Sequence, residues 1–134
     1  MLLVLTEKPS AARNFARALG GMHGTFGGED YSIFALRGHV LELDKDFANQ
    51  VQPGLVERYE SWKIENLPWD PNDLSFTKVV KQDCGAILDG LTSAIKSADE
   101  VIIATDNDPS GEGELLAWEA LDFVGWPGKT TRAF

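Results

Sequence analysis

The stretch Val101–Leu121, VIIATDNDPSGEGELLAWEAL, decides the fold. Val101, Ile102 and Ile103 form a short, continuous apolar run, the pattern of a strand buried on both faces of a parallel sheet, and the chain turns polar at Thr105. Asp106 therefore stands at the carboxyl end of a strand. In open α/β sheets, ligands bind in the crevice outside those ends, so Asp106 and Asp108 lie where chemistry is usually done. Two carboxylates one residue apart repel each other. A hard divalent cation with oxygen ligands, Mg²⁺ above all, is the usual reason to keep both ionised. The competing reading is that Asp106 or Asp108 caps the helix that follows, a common role for Asp. Leu115, Leu116, Trp118, Ala120, Leu121 and Phe123 mark that helix, and Gly125 and Pro127 end it.

Outward from this stretch the same pattern recurs. Leu2 to Leu5 form a second apolar run that ends at Thr6, Glu7 and Lys8, after which Pro9 and Ser10 open a helical pattern. Ser10 is the expected cap, Phe15, Ala16, Ala18 and Leu19 supply the apolar face, and Gly20 and Gly21 stop the helix. Glu7 and Lys8 thus occupy another strand's carboxyl end. From Thr25 to Leu43, β-rich segments around Gly27, Gly28 and Gly38 predict a hairpin whose second member carries Arg37 and His39. Between Asp44 and Thr77, Pro53, Pro68 and Pro71 interrupt any long element, so this part reads as an irregular excursion. Val80, Cys84, Ile87, Leu88, Leu91 and Ile95 recur at helical spacing. Lys129 to Phe134 look like the start of a final strand. Strand, helix, hairpin, excursion, helix, strand, helix, strand predicts an α/β fold, with a mostly parallel sheet of about four strands and helices on both faces joined by right-handed crossovers.

Composition narrows the function. A chain of 134 residues with 43% hydrophobic residues suits one globular domain, 1–134, rather than a multidomain machine. Its net charge of −9 argues against tight, independent binding to a phosphate backbone, which relies on Lys and Arg displacing counterions. The single Cys84 excludes an intramolecular disulfide and a cysteine zinc cluster, and reads as a small core residue in a reducing compartment. No apolar stretch reaches the roughly 18 residues needed to span a bilayer, and no signal peptide opens the chain. A cytoplasmic location is expected.

Four pieces, LLVLTEKPSAARNFARAL, RGHVLELD, RYESWKIENLPW and VIIATDNDPSGEGELLAWEAL, resemble in content and order the Toprim domain of type IA DNA topoisomerases, most closely that of topoisomerase III. The resemblance implies the Rossmann-like Toprim fold and a Mg²⁺-dependent site, with Mn²⁺ as a substitute, for breaking and rejoining a DNA phosphodiester. It implies Glu7 as general acid or base, Lys8 as a positive charge on the scissile phosphate, and Glu7, Asp106 and Asp108 as metal carboxylates. A third acid follows after an apparent two-residue insertion, Pro109 and Ser110, and Glu112 is favoured over Glu114. The same shift leaves no arginine beside the acids, so Arg13 or Arg37 stand as substitutes. Ser10 and His39 join them as candidate DNA contacts, and single-stranded DNA is the implied partner.

Type IA topoisomerases attack DNA with a tyrosine from a separate domain, and Tyr31 and Tyr59 lie in no matching context. The resemblance therefore implies the N-terminal part of a larger enzyme, unable to relax DNA alone. A stand-alone metal-dependent nuclease or DNA-processing factor is the alternative, since a metal-activated water needs no tyrosine. A calcium loop with Asp106, Asp108, Ser110 and Gly111 at positions one, three, five and six fails at position twelve, where Ala117 stands. A non-catalytic acidic scaffold for a basic partner is the remaining reading.

Overall fold

The computed structural model describes all residues, 1–134. The chain divides into two compact units, one formed by Met1–Val40 with Lys81–Phe134 and the other by Leu41–Val80.

The first unit is built on a five-stranded sheet in the order β2-β3-β1-β6-β7. Its strands are β1 (Leu2–Thr6), β2 (His23–Phe26), β3 (Glu29–Ala35), β6 (Glu100–Ile103) and β7 (Lys129–Arg132). β1 runs parallel to β3 and β6, and β6 parallel to β7, while β2 is an antiparallel edge strand on β3. The apolar runs take the central places: Leu3, Leu5 and Val101 are 0% exposed, because a strand with parallel neighbours on both sides is covered on both faces. Alternation along the pleat sends Val4 and Ile33 to one face, where they pack with Ala12, Phe15 and Leu19 of α1 (Pro9–Leu19). Phe34 points to the other face, where its ring closes on Gly90 of α3 (Gly85–Ile95). Helices on both faces, as the sequence predicts, complete the layers, with α4 (Glu112–Phe123) between β6 and β7.

From β1 the chain steps to β3 on one side, and from β6 to β7 on the other. The point where the winding reverses lies between β1 and β6, and in this architecture the crevice at that point is the usual binding site.

Three local expectations are corrected. Ser10 does not cap α1: the cap position is Lys8, in extended conformation with no side-chain cap bond, because Pro9 at the first helical position fixes the helix start two residues earlier. Arg37 and His39 are not in a strand. β3 ends at Ala35, and Gly38, at φ 68°, takes a left-handed turn that a strand cannot contain. The helical pattern beginning at Val80 starts instead at Gly85, since the β-branched Val79 and Val80 pair in a strand.

The second unit holds that strand, β5 (Lys78–Val80), antiparallel to β4 (Leu41–Leu43), with Leu41 opposite Val80. The five-residue helix α2 (Val56–Glu60) and three short 3₁₀ turns fill the rest. Tyr59 is fully buried, donates its hydroxyl to Asp73, and meets the Trp69 ring edge-on at 5.3 Å. Phe47 and Trp62 flank Trp69 at 6.0 and 5.7 Å. The irregular excursion thus carries a small aromatic core of its own.

Candidate active site at the strand ends

Parallel pairing of β1 with β6 sets Leu5 opposite Ile103, so the residues after each strand leave the sheet side by side. The backbone N–H of Asp106 donates to Glu7 Oε2 at 3.3 Å. Lys8 Nζ lies 3.4 Å from Asp106 Oδ2, with both side chains about half exposed (52% and 56%). A pair this open to water holds weakly, so either partner is free to exchange for a solute ion. Glu7, Lys8 and Asp106 therefore meet at one point, although 98 residues separate Lys8 from Asp106.

Asp108 is used differently. Its Oδ1 accepts from the Ser110 hydroxyl at 2.6 Å and from Glu112 N–H at 3.1 Å, and its Oδ2 accepts from Gly113 N–H at 3.0 Å. These bonds, the Ser110 hydroxyl first and the Gly113 amide next, hold its carboxyl down to a pKa of about 2. Asp108 satisfies the free amides at the start of α4, so the capping role weighed from the sequence is realised for it. These bonds use both lone pairs of Oδ1 and one of the two on Oδ2.

The glycine after Glu112 has a steric cause. A Cβ on Gly113 would lie 2.3 Å from the Asp106 carbonyl oxygen. The first turn of α4 sits against the backbone of Asp106, and only a residue without a side chain permits that approach.

Glu112 turns away from Asp108 toward His39, whose Nε2 lies 3.1 Å from Glu112 Oε1 and whose Nδ1 lies 3.2 Å from Glu119 Oε2. Glu114 instead accepts from Trp118 Nε1 at 3.2 Å. His39 reaches α4 because the segment after β3 stays bound to the end of β1: Leu36 N–H donates to Thr6 O and Gly38 N–H to Glu7 O, at 2.8 and 2.9 Å. No three acidic, histidine or cysteine side chains converge into a closed metal cage. Mg²⁺ rarely needs one, since it commonly keeps several waters and binds through one or two carboxylates and substrate phosphates. The all-oxygen donors Glu7 and Asp106 fit that habit.

Ser10, Arg13 and Arg37 are exposed, and neither arginine bonds to Glu7, Asp106 or Asp108. The arginine at the acids is one the sequence reading passed over. Arg132, opposite Ile103 in the register of β7 on β6, donates from Nη1 to Ile103 O and Thr105 Oγ1 (3.0 and 3.2 Å) and from Nη2 to Asp106 O (3.1 Å). Parallel pairing of the last two strands was the signal that could have found it. Glu119 was also missed, though its seven-residue spacing from Glu112 places both on one side of α4.

Comparison with known proteins follows the same outline. The Toprim domain family matches residues 2–133. DNA topoisomerase 3 of Bacillus thuringiensis (strain Al Hakam) is 34% identical over 127 residues, covering 91% of this chain and 16% of that protein. The Staphylococcus haemolyticus DNA topoisomerase 3 is 35% identical over 132 residues, again 91% and 16%. DNA topoisomerase 1 of Synechococcus elongatus is 33% identical over 123 residues, 91% of this chain and 12% of the relative. The chain thus spans about a sixth or less of the length of the relatives it matches. Among solved structures, full-length topoisomerase I from Thermotoga maritima superposes with a TM-score of 0.62 at 20% identity, covering 97% of this chain and 17% of the other. That likeness concerns the fold alone; the family match over residues 2–133 shows that this chain belongs to the Toprim domain family.

Proposed function

We propose that this chain is the Mg²⁺-binding catalytic part of a type IA, topoisomerase III-like DNA topoisomerase, contributing to cleavage and rejoining of a DNA strand. The observation that supports this reading best is the meeting of Glu7, Lys8 and Asp106 at the reversal point of the sheet. Glu7 and Asp106 would hold the metal first, with Asp108 and Glu112 behind them. When bound, Mg²⁺ neutralises phosphate charge and polarises the phosphoryl oxygen. Glu7 carries or accepts the proton of the reacting oxygen, a task its carboxyl can perform from the free tip of a strand end. Lys8 leaves Asp106 for the scissile phosphate and stabilises charge that develops there. Arg132 keeps the Asp106 backbone in place from behind.

The attacking group comes from elsewhere in a longer protein. Tyr31 is 4% exposed and donates its hydroxyl to Leu19 O and Gly21 O at 3.1 Å, and Tyr59 is fully buried. Neither can reach a phosphate. The partner is single-stranded DNA, gripped chiefly by other parts of such an enzyme, because a chain of net charge −9 has little affinity for phosphates on its own. No helix is long and apolar enough to cross a membrane, and a cytoplasmic setting is part of the proposal.

The test is a chimera in which this chain replaces the matching segment of a Bacillus DNA topoisomerase 3. It should relax supercoiled DNA in Mg²⁺ and lose that activity with Glu7→Gln. Relaxation by the Glu7→Gln chimera at the unaltered rate would overturn the reading. Mg²⁺-dependent cutting of single-stranded DNA by the 134-residue chain alone would favour the stand-alone nuclease instead.

A further inference from the structure

Beside the acidic site, on the α1 side of the sheet, lies a cavity of about 390 Å³ that shares Asp106 with that site and whose other lining residues have no role above. Its apolar walls are Ala11 and Phe15 of α1, Ala104 just after β6, and Ala133 with the exposed Phe134 after β7. Four polar residues line it as well: Asn14, Thr105, whose hydroxyl is taken by Arg132, Asp106 and Asn107. The volume falls in the usual range for small-molecule sites, roughly 300–1,000 Å³, and such sites pair apolar walls with a few placed polar groups.

Charge and hydrogen bonding narrow the occupant. Asp106 on the rim repels an anion, so a phosphate does not belong inside. The side-chain amides of Asn14 and Asn107 have no hydrogen-bond partner in the protein, which leaves both, each with donors and an acceptor, open to a ligand. Both lie at the crevice beside the sheet's reversal point, where open α/β sheets bind their ligands. A flat, neutral group with its own donors and acceptors on one edge satisfies this combination. Nucleobases have that edge, and proteins read the bases of unpaired strands by amide contacts and by packing on aromatic rings such as that of Phe15.

We propose that the cavity between α1 and the β6–α4 turn is a nucleobase subsite, in which Asn14 and Asn107 hold one base of a single strand whose adjoining phosphate lies at Glu7, Lys8 and Asp106. The subsite deepens the proposed function and rests on it for the placement of that phosphate. It makes this unit a contributor to sequence preference, through a base rather than through backbone charge.

Neutral deoxynucleosides test the subsite without the repulsion that phosphates meet. In the ¹⁵N-labelled 134-residue chain, titration with thymidine, deoxycytidine, deoxyadenosine and deoxyguanosine should shift the side-chain amide signals of Asn14 and Asn107 saturably for at least one of the four. The amides of Asn49, Asn66 and Asn72 in the second unit should stay still. Asn14→Ala with Asn107→Ala should weaken binding by roughly tenfold or more, the factor expected for lost amide contacts to a base edge. Ala11→Phe, which fills the cavity and removes no amide, should weaken it comparably, and the spectrum of each variant reports whether it is folded. Absence of any saturable shift, equal shifts in all asparagines, or undiminished binding in Ala11→Phe would overturn the proposal. A parallel Mg²⁺ titration of the same samples separates the two ideas. Loss of Mg²⁺ binding with the nucleoside shifts intact removes the metal reading, whereas the reverse removes the subsite alone.

Discussion

The turns from β1 into α1 and from β6 into α4 stand side by side, enter helices of nearly equal length, and start them by opposite means. The first has no side-chain cap at Lys8 and relies on Pro9 to fix the opening φ. The second has glycine at the cap position and recruits Asp108, two residues past Asp106, to satisfy the amides of Glu112 and Gly113. In each turn one carboxylate is thereby left uncommitted to the helix, Glu7 in one and Asp106 in the other. The lesson is a division of labour within an acidic motif: of two aspartates that look equivalent in DNDPSGEG, Asp108 is bound to the start of α4 and Asp106 stays free of it, which is why the proposed function gives Asp106 the first place at the metal.

Substitutions can break this contrast, beginning with the most severe. Gly113→Ala drives a methyl into the Asp106 carbonyl, and overpacking of this kind costs about 1–3 kcal/mol. The variant should show that loss in chemical denaturation and should bind Mg²⁺ poorly in calorimetry, because Asp106 must move. Asp108→Asn should lower the melting temperature at pH 7 by a smaller amount. Its pH dependence carries the sign of a depressed carboxyl. The folded value of about 2 lies below the unfolded reference near 3.9, so the contribution of Asp108 is complete above the unfolded value and disappears as pH falls through the folded one. The difference in melting temperature between the native chain and Asp108→Asn should therefore be constant above about pH 5 and shrink between pH 4 and 2. Pro9→Ala should have the smallest effect, about 0.4–1 kcal/mol, acting mainly through a more flexible unfolded chain. If Pro9→Ala proves more damaging than Asp108→Asn, the contrast between the two turns is wrong.

What could be read from the sequence follows the same physics. The apolar runs Leu2 to Leu5 and Val101 to Ile103 announce buried parallel strands, and because the two are direct parallel neighbours with Leu5 opposite Ile103, Glu7 and Asp106 come near each other despite their separation in sequence. Periodicity also marks α1 and α4. It does not mark Arg132, whose role depends on which strand β7 joins and in what register, a long-range fact that no local pattern holds. His39 and Glu112 are both candidates from the sequence, yet their contact and the second partner, Glu119, are not legible there, because the chain leaves the strand before His39 and turns at Gly38 toward α4. The second unit shows the limit most plainly. Its core gathers Phe47, Tyr59 and Trp69, with the exposed Trp62 against Trp69, and these positions follow neither the two-residue nor the 3.6-residue repeat, so it reads as irregular until the rings are seen to meet. The strand at Val79 and Val80 was absorbed into a helical pattern because three residues are too few to show alternation.

The division of labour is tested most directly by anomalous diffraction from crystals of this chain soaked in Mn²⁺, with the same soak for Asp106→Asn. The account expects one peak within coordinating distance of the Glu7 and Asp106 carboxylates, absent from the variant. A peak seated instead on Glu112, His39 and Glu119, or one at Glu7 that survives Asp106→Asn undiminished, would contradict it.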